Sequence, residues 1–465
     1  MDKVVASAAE AVKDFSDGAT LCIGGFGPQF NWPVDLVKAL QDQGAKQLTV
    51  VATAVGGPTE YGAQSLVMNG QVKKVIASFT MKVGARTRSE ELIAAGMLEA
   101  EVVPQGIVVE RCRAGAAGIP AFYSPSGADT ALAEGKDLRY FDGRPYVLER
   151  AITADFAFIR ALRADRAGNL QFQGNTRNFN FALGKCAKVT IAEVDEIVET
   201  GQLPPDQVHL PGIFVARVVK NTRAPVVVQK ETFRRSGSEA RSYKGKPALT
   251  REGIARRAAG LIRDGSYVNL GSGLPEYVSN YLKGRDVLLH AENGFLGYGE
   301  IVTGEAIDPR VYNAGGAYVS TMPGASFFDS VTSFEMARGG HIDAVVLGAY
   351  EVDEQAGIAN WSTAVPLNPK IGGVGGAMDL VAGGSDIIAV LEHHDSKGRQ
   401  KLRHRCSLPY TGKGCVTWIV TDLALFHWNG STFVLEETAP GFTAEDIREL
   451  TEMKFEVAAR VGTMA

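Results

Sequence analysis

Asp17-Gly18-Ala19-Thr20-Leu21-Cys22-Ile23-Gly24-Gly25 returns later in the chain as Asp264-Gly265-Ser266-Tyr267-Val268-Asn269-Leu270-Gly271-Ser272. In each copy a helix-like segment leads into an Asp-Gly turn, an apolar strand and a glycine cluster. A helix opened by proline follows, at Pro33 in one copy and Pro275 in the other. Helix, strand, glycine turn, helix is the grammar of α/β proteins. A second echo pairs the stretch from Asp155 to Asp165 with that from Asp343 to Asp353. Two echoes in the same order predict a duplicated α/β architecture.

Outward from these repeats, the 465 residues are too many for one hydrophobic core and predict two large domains, 1–220 and 250–465. Between them, 221–249 is polar, basic and broken by Ser-Gly-Ser and Lys-Gly-Lys, and reads as an exposed, mobile linker. The formal net charge is −4, with 45% hydrophobic and 22% charged residues, an ordinary globular composition. So balanced a charge supplies no broad cationic field, so nucleic acid is not an expected partner. Apolar runs such as 344–349 have the length of buried strands and fall short of a membrane span. Cys22, Cys112, Cys186, Cys406 and Cys415 are odd in number and widely spaced, with no Cys-x-x-Cys pair, so neither a disulfide framework nor a metal site is expected. Residues 1–16 read as an amphipathic helix, not a signal peptide, and with the cysteines predict a cytoplasmic protein.

The glycine clusters Gly24-Gly25-Phe26-Gly27 and Gly271-Ser272-Gly273 sit where backbone approaches a ligand at a strand-to-helix turn. Neither completes a dinucleotide fingerprint, whose last glycine is replaced by Phe30 in one and Glu276 in the other. No Gly-x-Ser-x-Gly elbow or P-loop occurs. His393, His394 and His404 have no metal-ligand spacing and read as surface or capping groups. Glu292-Asn293-Gly294 differs, because the run from Asp286 to Ala291 reads as a buried strand and a glycine-rich bend follows. A carboxylate is therefore predicted at the C-terminal end of a core strand, where open α/β sheets bind ligands and where a charge costs desolvation energy unless it is used.

These residues resemble the family I CoA-transferases, and among them the single-chain succinyl-CoA:3-ketoacid CoA-transferases, over nearly the whole length. The first glycine signature and the stretch from Leu289 to Gly297 carry the likeness. So do Pro104-Gln105-Gly106, Arg113 to Tyr123, Arg177-Asn178-Phe179-Asn180, Met322 to Ser326, Gly375-Gly376-Ala377-Met378-Asp379-Leu380 and Leu408 to Gly412. The resemblance implies two related open-sheet α/β domains of the NagB/RpiA/CoA-transferase-like class. It implies Glu292 as nucleophile, forming a glutamyl-CoA thioester by ping-pong chemistry, with the Gln105 amide and a backbone N–H at Gly375-Gly376 holding the oxyanion. The two glycine clusters, Asn293, Gly294, Arg86 and Lys370 then become candidates for binding CoA or substrate. No permanently bound cofactor is implied, CoA being substrate and covalent intermediate. The implied partners are acyl-CoA and small carboxylic acids, with neither nucleic acid nor membrane, in a homodimer or homotetramer.

Several positions depart from the family pattern. Ala291 replaces a serine beside the nucleophile, Gly316 replaces a lysine, and Arg86 and Arg88 mark a loop suited equally to a second carboxylate, to the CoA phosphates or only to water. The loop from Pro28 to Pro33 carries bulky Phe30 and Trp32 and is expected to reshape the acyl pocket. Phe295, Leu296, Phe327 and Phe328 are expected to keep water from the intermediate. An acyl-CoA hydrolase on the same fold and a non-catalytic CoA- or sugar-phosphate-binding protein are the alternative readings.

Overall fold

A computed structural model describes residues 2–55, 62–81, 87–224, 240–363 and 368–464. The first half builds one sheet from β1 (Thr20–Ile23), β2 (Leu48–Ala54), β3 (Val72–Phe79), β4 (Glu99–Val102), β5 (Ala154–Asp165), β6 (Ala187–Val198) and β7 (Arg217–Lys220). They run parallel in the order β7-β6-β5-β1-β2-β3-β4. Leu21, Cys22 and Ile23 are buried in succession, as a strand covered by helices on both faces requires.

The second half contributes β8 (Ser266–Leu270), β9 (Val287–Ala291), β10 (Phe295–Ile301), β11 (Val319–Phe327), β12 (Ala344–Gly348), β13 (Asp386–Val390) and β14 (Val416–Val420). β15 (Ala424–Trp428), β16 (Phe433–Thr438) and β17 (Glu456–Thr463) complete its sheet. The order is β11-β10-β9-β8-β12-β13-β14-β15-β16-β17, with β9, β8, β12, β13 and β14 parallel, antiparallel pairs outside them on both sides, and β17 parallel to β16 at the far edge. Both halves are thus open α/β sheets, as expected.

The two echoes occupy matching places. β1 lies between β2 and β5, and β8 between β9 and β12, so each sheet reverses its strand order beside the repeated strand. Asp155 Oδ2 accepts a hydrogen bond from Thr20 N at 3.0 Å, and Asp343 Oδ2 accepts one from Tyr267 N at 2.8 Å. Gly18 and Gly265 turn at φ of 82° and 81°, a conformation that costs glycine nothing.

Four helices bring the halves together: α1 (Gln105–Ala116), α2 (Asn178–Leu183), α3 (Ser330–Arg338) and α4 (Ala377–Val381). Val331 and Phe334 of α3 belong to the same buried cluster as Val108, Cys112 and Phe179 of the first half. Of the expected linker, 225–239 lies outside the described residues, and the flanking residues are held. Ser242–Tyr243 pairs with Lys246–Pro247, the Tyr243 hydroxyl donates to Asp422 at 3.0 Å, and Lys244 and Lys246 both pair with Asp446. Arg223 pairs with Asp35.

Candidate active site

Glu292 is the first residue past β9, and β9 lies beside β8 at the point where strand order reverses. This is the crevice where open α/β sheets bind ligands. Its turn is closed by Gly294, at φ of 101°, whose N–H donates to Ala291 O at 3.0 Å. A Cβ at Gly294 would lie 2.1 Å from Phe328 O, so only glycine fits. Asn293 is buried and its amide donates to Tyr312 O at 3.2 Å, which pins the turn from behind. Asn293 and Gly294 therefore shape the turn.

The Glu292 carboxyl is pushed above the ordinary glutamate range, chiefly by burial. Hydrogen bonds from its own backbone N–H and from Asn269 partly offset this, and the negative charge of Glu276 adds to it. Asn269 Nδ2 donates to Glu292 Oε2 at 3.3 Å. A desolvated carboxylate at this position is a better nucleophile than one in bulk water, because less hydration must be stripped before attack.

Gly376 comes against Glu292 from a loop of the same half. A Cβ there would stand 3.5 Å from Glu292 Cγ and 2.9 Å from the Phe334 ring. Gln105 opens α1, is 1% exposed, and its backbone N–H donates to Gly375 O at 2.9 Å. Its side-chain Oε1 is buried with no hydrogen-bond partner, an acceptor left open at the junction.

A buried carboxylate fixes that junction. Asp379 of α4 accepts from Gly106 N at 2.9 Å and Ser126 Oγ at 2.8 Å, and pairs with Arg338 at 3.1 Å. A Cβ at Gly106 would lie 2.5 Å from both Asp379 and Arg338, so the contact needs glycine. Asp379 thereby sets Gln105 of one half against Gly375-Gly376 of the other.

The other expected site residues divide. The Gly24, Gly25 and Gly27 positions are filled by protein, since a Cβ would lie 2.3 Å from Asn180 Oδ1, 2.7 Å from Trp32 and 2.5 Å from the Tyr312 ring respectively. Phe26 stacks between Phe179 and Tyr312, at 5.7 and 6.5 Å. By contrast Ser272 and Gly273 are exposed past β8, with nothing within 4 Å of a Cβ at Gly273, while Gly271 packs on Val346 and Leu347. Lys370 lies in an exposed turn whose carbonyl accepts from Thr80 Oγ1 at 2.9 Å. Arg86 falls outside the described residues.

Several expectations are corrected. Phe30 and Trp32 are each 6% exposed, so they do not protrude into an acyl pocket. Phe30 lies between the Arg160 and Arg310 guanidinium groups, at 5.4 and 4.8 Å, and the Trp32 indole donates to Gly27 O at 3.2 Å. Phe295 stacks on Phe327 at 4.3 Å as core packing, and the aromatic ring that meets Gly376 is Phe334. His393 is no surface group: it is fully buried between Thr421 and Thr451, at 3.0 and 2.9 Å.

Sequence reasoning missed Asn269, whose signal was a polar residue inside a buried strand, flanked by Val268 and Leu270. It also missed that Cys22, Cys112 and Cys186 converge, their sulfurs lying within 4.8 Å of one another in the first-half core. Thiol hydrogen bonding, followed by burial, pushes Cys22 and Cys112 upward. Among the described residues no helix is long and apolar enough to cross a membrane.

Comparison with known proteins adds to this geometry. A family model described as Coenzyme A transferase matches residues 5–221 and 251–450. The human mitochondrial succinyl-CoA:3-ketoacid coenzyme A transferase 2 is 39% identical, covering 99% of this chain and 91% of its own. A half-length chain of a probable succinyl-CoA:3-ketoacid coenzyme A transferase from Bacillus subtilis is 45% identical over 51% of this chain, covering 98% of its own length. In fold, an acyl-CoA transferase (YdiF) of Escherichia coli O157:H7 superposes with a TM-score of 0.80 at 24% identity, covering 100% of this chain and 95% of that one. The full-length relatives from rat, mouse and human are mitochondrial, which overturns the cytoplasmic expectation drawn from residues 1–16 and the cysteines.

Proposed function

The chain belongs to the coenzyme A transferase family and is a CoA-transferase enzyme; from that premise we propose that it carries CoA from succinyl-CoA to a 3-oxoacid through a glutamyl-CoA thioester on Glu292. The observation that carries this reading is the desolvated Glu292 carboxyl at the end of β9, hydrogen-bonded to Asn269 and facing Gly376, where a Cβ would stand 3.5 Å from Glu292 Cγ.

In the proposed sequence a Glu292 oxygen attacks the acyl carbonyl, the C–S bond breaks, and CoA leaves as thiolate. The thiolate sulfur then attacks Glu292 Cδ, the anhydride C–O bond breaks, and the donor acid leaves as a carboxylate. The enzyme is left as its CoA thioester, and the acceptor acid reverses both steps. Two acyl exchanges replace one difficult attack, and no net proton is consumed. The Gln105 amide and the Gly376 backbone N–H stabilise the tetrahedral oxyanions. Phe334, and the Phe79 ring that lies 3.1 Å from a Cβ built on Gly375, limit the approach of water. The exposed turn from Gly271 to Gly273 lies at the same strand ends and is assigned to the CoA arm. The domain division 1–220 and 250–465 and a homodimeric or homotetrameric assembly are part of the same proposal.

Initial rates with succinyl-CoA and acetoacetate test it. Parallel double-reciprocal lines and transfer exceeding hydrolysis support the reading. Intersecting lines, or acid released at the same rate without acceptor, overturn it.

A further inference from the structure

Behind Glu292 the Asn269 amide leads into a line of polar groups whose further members the chemistry above does not use. Asn269 of β8 and His290 of β9 are register partners in the parallel sheet, and Ser333 of α3 closes the line from the helix side. All three are fully buried. Asn269 Nδ2 lies 3.1 Å from His290 Nδ1, 3.2 Å from His290 O and 3.3 Å from Glu292 Oε2. His290 Nε2 lies 2.9 Å from Ser333 Oγ, which lies 3.4 Å from Ala291 O.

The chemistry of the ends decides the direction of every bond. A backbone carbonyl and a carboxylate only accept, so the amide nitrogen of Asn269, and not its oxygen, must face them. The amide has two N–H groups for these three contacts, so one is shared; a proton on His290 Nδ1 would face the amide nitrogen with nothing to accept it, and Nδ1 therefore presents its lone pair. The ring proton accordingly sits on Nε2 and donates to Ser333 Oγ, whose own proton is left for Ala291 O. With a proton on Nδ1, the ring would turn a donor toward the Asn269 amide. The amide would then be driven to rotate, placing its oxygen against Glu292. Burial drives the His290 imidazole down to about 4, which keeps the ring neutral. Phe328 stacks on its other side with centroids 6.3 Å apart.

We infer that His290, held as the Nε2–H tautomer by Ser333, is a positioning residue that locks the Asn269 amide as a hydrogen-bond donor to Glu292. The inference rests on Glu292 being the nucleophile. Its consequence is kinetic. With the amide held also by the ring, the attacking oxygen has one orientation; without the acceptor at His290 Nδ1, only His290 O and Glu292 itself hold the amide nitrogen, and the carboxylate is aimed less firmly.

Three variants test it: His290→Leu, which removes the acceptor, His290→Gln, which restores a polar group, and Ser333→Ala, which removes the partner that selects the tautomer. The readouts are kcat and KM for succinyl-CoA, thermal melting, and the rate at which wild-type and variant enzymes form a CoA adduct at Glu292. The leucine variant is expected to lose about 10- to 100-fold in kcat with KM within about twofold. Glutamine should recover to within about threefold of wild type, and Ser333→Ala should lose about three- to tenfold in kcat alone. Equal kcat in the leucine and glutamine variants overturns the inference. If the leucine variant does not fold, wild-type kcat in Ser333→Ala overturns it. A wild-type enzyme that forms no Glu292 adduct removes the nucleophile and this inference with it, whereas a normal wild-type adduct with indifferent variants removes this inference alone.

Discussion

Asn269 Nδ2 donates to Glu292 Oε2 across 3.3 Å, joining the strand that carries the internal repeat to the carboxylate at the end of its neighbour. This bond favours the ionised form, while burial of the carboxyl favours the neutral one and wins. In the proposed mechanism attack requires the carboxylate, so activity is expected to fall as pH drops through a pKa above the ordinary glutamate value of 4.5. Asn269→Ala removes the stabilising donor and should move the acid limb of the first half-reaction further up. Stopped-flow rates against pH check this; an unshifted or lowered limb contradicts it.

Gln105→Ala should leave the fold intact and cost on the order of 10²–10³ in kcat, the usual loss for one oxyanion donor. Steady-state rates with melting curves decide it, and a kcat within threefold of wild type would place the donor elsewhere.

Gly376→Ala should slow the reaction by about tenfold or more. The position has φ of −91°, so alanine brings no backbone strain, but its methyl would meet the Phe334 ring at 2.9 Å and crowd Glu292. Kinetics and near-ultraviolet circular dichroism separate this local effect from unfolding.

Asp379→Ala should be the most destabilising of these changes. It leaves the Arg338 guanidinium with only Glu110, at 3.8 Å, and frees Gly106 N and Ser126 Oγ in the interior, and breaking a buried pair from one side costs about 3–5 kcal/mol. Denaturant unfolding measures the loss, and kcat should fall with it because Gln105 is no longer held against Gly375-Gly376.

Three histidines should make acid destabilising from about pH 6.5 downward, against the opposite contribution of Glu193, which burial raises to about 7. Burial holds His393 down to about 3, and burial holds His290 and His209 down to about 4, all from an ordinary 6.5. In that window these three side chains bind more protons in the unfolded chain than in the folded one, so their contribution to the unfolding free energy falls as pH falls. Each pH unit is worth about 1.4 kcal/mol per histidine at most. His393→Gln should flatten the slope of stability against pH between 6.5 and 4, and an unchanged slope contradicts the assignment.

The duplicated architecture was legible because each repeat encodes a whole local unit. Asp17-Gly18 and Asp264-Gly265 mark turns, and the apolar runs after them are long enough only for buried strands. The place of Glu292 was legible for the same reason, as a charge that ends a core strand. What escaped was the environment contributed from far along the chain. Phe30 looked like a pocket wall until the fold set it between Arg160 and Arg310. Phe334 lies in a helix whose periodicity says only that it is buried, not that Gly376 meets its ring. Gly24, Gly25 and Gly27 read as ligand-binding glycines in sequence, which does not show that Asn180, Trp32 and Tyr312 occupy the side where a Cβ would stand. Asp379 reads as an ordinary helix acid, and only tertiary structure shows it clamping Gly106 of the other half.

Glu292 as nucleophile is tested most directly by mixing the enzyme with succinyl-CoA and no acceptor, reducing with borohydride, and mapping peptides by mass spectrometry. The account predicts a CoA adduct on the intact protein and, after reduction, the alcohol at Glu292, with neither in Glu292→Ala. A modification at another residue, or turnover by Glu292→Ala, would contradict it.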